Sequence, residues 1–267
     1  MSSASSAIWS GFGIAFWQTL LGMKRPRHVI LQFIMREQQP DWKSRLKYQV
    51  MKLVFSSVHR VVVSSKGELA YYREAFRWKP EKLIFVPLHG APEHAYRPVP
   101  ESEDYIVSAG RSFRDYQTLV DALQDLPIRA IIVGGAGAKQ RYACTHTLQV
   151  LENIPLDELD ALILKAKAVV VPLEDRQISI GQSVILQAMA YGKAVIATRT
   201  PGTVDYIRHL ETGILVPPHD IPAMKAALRM LEDAATRNRI GQAARAQIRQ
   251  HHLPSHYADR LSEALSR

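Results

Sequence analysis

Apolar residues fall into two rhythms along the chain. Runs such as "RVVVSS", "KLIFVP", "YIVSAG", "IRAIIVGG", "AVVVPL" and "AVIAT" are short, dense in β-branched residues and bounded by turn formers, which marks buried strands. Between them, residues 42–57, "KGELAYYREAF", "RDYQTLVDAL" and "DELDALILKA" space their apolar positions three or four apart, as one face of a helix requires. "HVILQFI", "TLQVL" and "GILVPP" add further strands. A short helix near Asp205 and helices from Asp220 to the C-terminus complete the pattern. Strands alternating with helices imply parallel sheets and an α/β chain.

The rhythm breaks once, at "LHGAPEHAYRPVPESED", residues 88–104, which is rich in proline and charge and has no period. The reading that follows has four parts: a partial domain over 1–95, a linker over 96–103, a doubly wound domain over 104–250 and a C-terminal helix over 251–267. The first part holds about three strands where a doubly wound domain has roughly five or more, so the chain reads as beginning partway through a domain.

Composition adjusts this picture in three places. The segment "AIWSGFGIAFWQTLLGM" has only 17 residues, carries Gln18 and Thr19 inside, and is followed rather than preceded by positive charge. A packed or interfacial helix is expected there rather than a membrane span or a secretory signal. The single cysteine, Cys144, excludes an internal disulfide framework, fits a reducing, cytoplasmic setting, and is expected to be a small core residue. The formal charge of +9 is concentrated: Lys24, Arg25, Arg27, Arg36, Lys43, Arg45, Lys47, Lys52 and Arg60 face only Glu37 and Asp41 over residues 24–60. Interleaved with Trp42, Tyr48 and Phe55, this stretch suits an anionic membrane surface; a solvated helix face is the plainer alternative. Nothing resembles a nucleic-acid-binding module, and none is expected to bind.

Chemistry is expected at the carboxyl ends of the strands. In "SAGRSFRDY", Gly110 closes a strand and Arg111 and Arg114 follow, two guanidiniums suited to a diphosphate or simply to the surface. "VGGAGAK" has neither Walker nor dinucleotide spacing; Gly134 and Gly135 either admit a ligand to the backbone or make a tight turn. In "SIGQSVILQAMAYGKAVIAT", Gly181 precedes a mostly apolar helix and opens its N-terminal N–H groups to a phosphate. Gln182 follows it, and Ser183 and Gln187, four apart, share one face, which looks either into a cleft or at a neighbouring loop.

These pieces, in this order, resemble the GT-B glycosyltransferases of the large family-four type, with a C-terminal domain of the glycosyl transferases group 1 kind. The resemblance rests on "YIVSAGR", "AIIVGG", "VVVPL", "LQAMAYGKAVIATRTPGTVDYI" and "TGILVPPHD", with "VVVSS", "KLIFVPLHG" and "YRP" similar to the close of the family's N-terminal domain. It implies two Rossmann-like domains around a cleft: here a complete C-terminal one that holds a nucleotide-sugar, and a partial, acceptor-side N-terminal one. It also implies transfer of a sugar to a glycan or lipid-linked acceptor, with retention, no required metal and no cofactor beyond the nucleotide-sugar substrate. Arg111 would contact the diphosphate. The family's lysine five residues later is Tyr116 here, with Arg114 near enough to substitute. The family's two glutamates, eight apart, are Ser179 and Gln187. Glu174 and Asp175 are the carboxylates closest in sequence to the loss, and His89 and His94 the histidines closest to the crossover. Ser179, Glu174 and His89 are therefore the catalytic candidates. The alternative is a shortened, non-catalytic relative that binds a nucleotide or a partner chain.

Overall fold

The computed structural model describes residues 3–23, 25–90 and 102–266, with side chains in the first helix described from Gly11 onward. The chain divides into two compact units. One comprises the chain up to Pro87 together with Gln177–Ser179 and the chain from Asp259 on; the other comprises Leu88–Arg176 and Ile180–Ala258. The expected linker lies outside the described residues apart from Ser102 and Glu103, as does His94.

In the first unit, β1 (Val29–Ile30), β2 (Arg60–Val63) and β3 (Leu83–Phe85) form a parallel sheet in chain order, with Val61 opposite Leu83. Helices α1 (Ser3–Leu20), α2 (Trp42–Val54) and α3 (Lys66–Phe76) accompany it. Its core is aromatic: the Phe33 ring meets Phe55, Tyr72, Phe76 and Trp78 at centroid distances of 4.9–6.1 Å. Such edge-to-face clusters add to burial alone. α3 begins in a capping box. Ser65 Oγ accepts from Glu68 N, and the Glu68 carboxylate accepts from Ser65 N, so orphan donors of the first turn are satisfied.

In the second unit a six-stranded parallel sheet runs β6-β5-β4-β7-β8-β9. The strands are β4 (Glu103–Ala109), β5 (Ala130–Gly134), β6 (Leu148–Glu152), β7 (Ala166–Val171), β8 (Ala194–Thr198) and β9 (Ile214–Val216). The helices are α4 (Tyr116–Leu123), α5 (Ala138–Arg141), α6 (Leu156–Lys165), α7 (Gln182–Ala190), α8 (Ile221–Met230) and α9 (Ala234–His251); α10 (Pro254–Ser266) follows and crosses into the first unit. The central strands are apolar on both faces, β7 and β8 being buried at every residue, because helices cover both sides of a doubly wound sheet. The chain adds β5 and β6 to one side of β4, then returns to add β7, β8 and β9 on the other. The β4/β7 boundary is thus the topological switch point, whose carboxyl end is where open α/β sheets take ligands.

Two expectations fail here. Residues 201–206 make successive turns rather than a helix: Thr203 Oγ1 donates to Thr198 O at 2.7 Å and accepts from Thr200 N at 2.9 Å, so a threonine hydroxyl competes with the helical ladder. Cys144 is exposed rather than a core residue, because it falls in the connection between α5 and β6, outside either apolar face.

Candidate active site at the switch point of the second unit

The loops after β4 and β7 are clipped together. Asp115 N donates to Pro172 O at 3.2 Å and Glu174 N to Phe113 O at 3.1 Å, while Arg114 and Leu173 form an isolated bridge. Asp115 also caps α4, accepting from Thr118 N at 3.2 Å, and its other oxygen lies 2.7 Å from His219 Nδ1. The loop is thus held at both ends before any ligand arrives.

A cavity of about 590 Å³ opens beside it, at the carboxyl ends of β4, β5 and β7. Of the expected site residues it gathers Gly110, Arg111, Arg114, Gly135 and Glu174, and it adds Arg141. Arg111 is exposed and makes no ion pair or side-chain hydrogen bond among the described residues; Arg141 is in the same condition. Arg111 lies against Gly135, where a Cβ would stand at ordinary contact, 3.6 Å from its own Cβ.

Arg114 has a different job. Its Nε donates to Ala109 O at 3.1 Å and its Nη1 to Ser112 O at 2.8 Å, and burial lowers its guanidinium from the ordinary value. It braces the loop from inside. Gly110 makes this possible: its φ of +144° suits glycine, and a Cβ there would stand 2.3 Å from Arg114 Nε. Tyr116, at the family's lysine position, is buried with its hydroxyl 2.8 Å from Gly110 O and 3.1 Å from Val133 O; burial raises its phenol. It brings no charge and fixes the strand ends instead. Glu174 is engaged by Arg176, Nε to Oε2 at 3.0 Å, and that guanidinium stands 5.0 Å over the Phe113 ring.

The other expected residues stand apart from this cavity. Gly134 ends β5 and is pressed against Ala138, whose Cβ would be 2.5 Å from an added one. Gly181, φ +83°, packs on Leu173 and Val171 at the start of α7, and no side chain caps the helix, so its first N–H groups remain for a ligand or solvent. Ser183 is exposed. Gln182 is buried and donates to Gly202 O at 3.0 Å. Gln187 is half-buried and its amide nitrogen donates to Asp160 of α6 at 2.5 Å; the same carboxylate oxygen takes the Tyr191 hydroxyl. Its partner is thus on a neighbouring helix, neither the expected loop nor the cavity. His89 is outside the cavity, with Nδ1 2.9 Å from Gly90 O and its ring edge-on to Tyr257 at 5.4 Å.

Ser179 is buried and belongs to the first unit by its contacts. Its Oγ donates to Glu68 Oε2 at 2.6 Å and its N to Glu68 Oε1 at 2.9 Å. The same carboxylate accepts from Ser64 N at 3.1 Å and Ser65 N at 3.2 Å. Glu68 is fully buried; desolvation raises its carboxyl above the ordinary value, and these hydrogen bonds oppose the rise. Sequence alone does not single out Glu68 for this role, although Ser-x-x-Glu in "SSKGE" is a legible capping pattern. Nor does it single out Arg141, whose signal is the basic residues that follow the "GGAG" turn.

No cluster of three or more His, Cys, Asp or Glu able to hold a metal occurs among the described residues. A sequence profile of the family described as Glycosyl transferases group 1 matches residues 93–247. D-rhamnosyltransferase WbpZ of Pseudomonas aeruginosa is 26% identical over 257 residues, covering 86% of this chain and 65% of that protein. A D-inositol 3-phosphate glycosyltransferase of Corynebacterium efficiens is 29% identical over 168 residues, 55% of this chain and 39% of its own length. The chain thus spans less than two thirds of either. Among solved structures, Anabaena Alr3699/HepE in complex with UDP and glucose aligns over 96% of this chain and 75% of its own, with a TM-score of 0.78 and 17% identity, a likeness of fold.

Proposed function

Because the chain belongs to the glycosyl transferases group 1 family, we propose that it transfers a sugar from a nucleotide-sugar donor to a glycan or lipid-linked acceptor, with retention and without a required metal. The observation that carries this is the unpartnered Arg111 beside Arg141 in a cavity at the switch point. In this reading the second unit holds the donor, and both guanidiniums meet its diphosphate. As the glycosidic bond breaks, the charge that develops on the leaving diphosphate is stabilised by groups already in place. Arg114, Tyr116 and the clipped loops keep those groups from reorganising. UDP-sugars lead the donors to be tried, since UDP is the nucleotide in the HepE complex. The protein works in the cytoplasm at an anionic membrane surface, to which the basic stretch from Lys24 to Arg60 is suited.

A second reading, a nucleotide-binding relative without turnover, is favoured by one observation: at the positions of the family's two glutamates, Ser179 is bound to Glu68 and Gln187 to Asp160. Incubating the purified chain with a panel of nucleotide-sugars in EDTA and measuring nucleoside diphosphate release separates the two. Release above buffer from at least one donor is expected. Binding without release would support the second reading and overturn the first.

A further inference from the structure

α2 faces two ways. Tyr48 and Val54 are buried, with the Tyr48 hydroxyl donating to Arg36 O at 2.8 Å, and this inner face fixes the helix on its unit. The outer face is also apolar. Trp42, Leu46, Val50 and Leu53 are 68%, 56%, 46% and 65% exposed, and their spacing lines them up on one stripe. α1, in contact with α2, leaves Phe16, Trp17 and Leu20 exposed as well. Between the two helices lies a groove of about 530 Å³ lined by Phe12, Trp42, Leu46, Val50 and Met51, with Lys43 and Lys47 completing it.

Charge identifies what covers this face. α2 carries Lys43, Arg45, Lys47 and Lys52 and no acidic residue, and none of the four makes an ion pair among the described residues. A second copy of the chain would bring the same four cations against them. A surface that is apolar within and anionic at its rim matches both properties, which is the signature of an interfacial helix. Among the described residues no helix is long and apolar enough to cross a membrane.

We propose that α2 lies in the interface of an anionic phospholipid bilayer. Trp42, Leu46, Val50 and Leu53 sit among the acyl chains, the α1/α2 groove accepts a chain end, and the basic side chains meet headgroup phosphates. The inference rests on the membrane-surface reading above and assigns it to a helix and an insertion mode. Vesicles of phosphatidylcholine alone and with added phosphatidylglycerol test it by co-sedimentation, with the full chain and two double variants, Trp42→Ser/Leu46→Ser and Lys43→Glu/Lys47→Glu. All four positions are exposed, so both variants should retain the wild-type circular dichroism and melting temperature. Binding to the anionic vesicles is expected to exceed neutral binding by about tenfold or more, and each variant to lose about tenfold. Equal binding to both vesicle types, no binding, or variants that bind like wild type would each overturn the proposal. So would a wild-type dimer that the Trp42/Leu46 variant dissociates. Nucleoside diphosphate affinity, measured on the same variants, should be unchanged, so failure here is distinguishable from failure of the donor site.

Discussion

At the scale of single residues, the site depends on groups that work for the backbone as much as on groups left free. Arg111 and Arg114 look alike in the sequence, three apart after one strand. Only Gly110, whose open face receives the Arg114 guanidinium, separates a brace from a free cation. Glu68 is the stronger case. Its donors come from residues as distant in sequence as Ser179, a meeting that no local pattern announces. Because burial raises its carboxyl, the folded chain keeps that proton to higher pH than the unfolded chain does. Its contribution to stability is therefore largest below the unfolded carboxyl value and declines as pH climbs through the folded one. Glu68→Gln removes this titration and turns one acceptor into a donor facing N–H groups, at a cost of about 1–3 kcal/mol at neutral pH. Urea unfolding across pH should show the stability difference between wild type and variant shrinking as pH rises through that window; a constant difference would contradict the assignment.

At the scale of elements, the second unit is legible because its central strands are buried on both faces and helices such as α4 and α8 on one, so period and composition agree. The strands of β4 to β9 were all readable, whereas "HVILQFI" yields only Val29–Ile30 as β1, and residues 201–206 turn where a helix was expected. The apolar spacing of α2 predicts the helix but not the exposure of Trp42, Leu46, Val50 and Leu53, since periodicity shows that a stripe exists and not what covers it. α7 teaches the same lesson in reverse: its polar residue reaches α6 and not open space. Gln187→Ala should therefore cost about 1 kcal/mol of stability by unfolding titration, with Asp160 keeping its Tyr191 partner. Nucleoside diphosphate affinity should be nearly untouched. A large loss of affinity at wild-type stability would return the amide to the cleft.

At the scale of the molecule, the α/β class and the complete doubly wound unit follow from the order of periods, and the family from a few spaced motifs. The division of the chain does not. Contacts place the boundary between Pro87 and Leu88 and return Gln177–Ser179 and the last residues to the first unit, because long-range pairs such as Glu68 with Ser179 leave no mark in linear composition. In the proposed reading, a free arginine at the switch point receives a nucleotide diphosphate without a metal. Calorimetric titration of wild type and Arg111→Ala with a panel of nucleoside diphosphates in EDTA tests it most directly. Wild type is expected to bind at least one of them, and the variant to bind it about tenfold or more weakly, through the loss of a charge-assisted contact. No binding by wild type, or equal affinity in the two proteins, would contradict it.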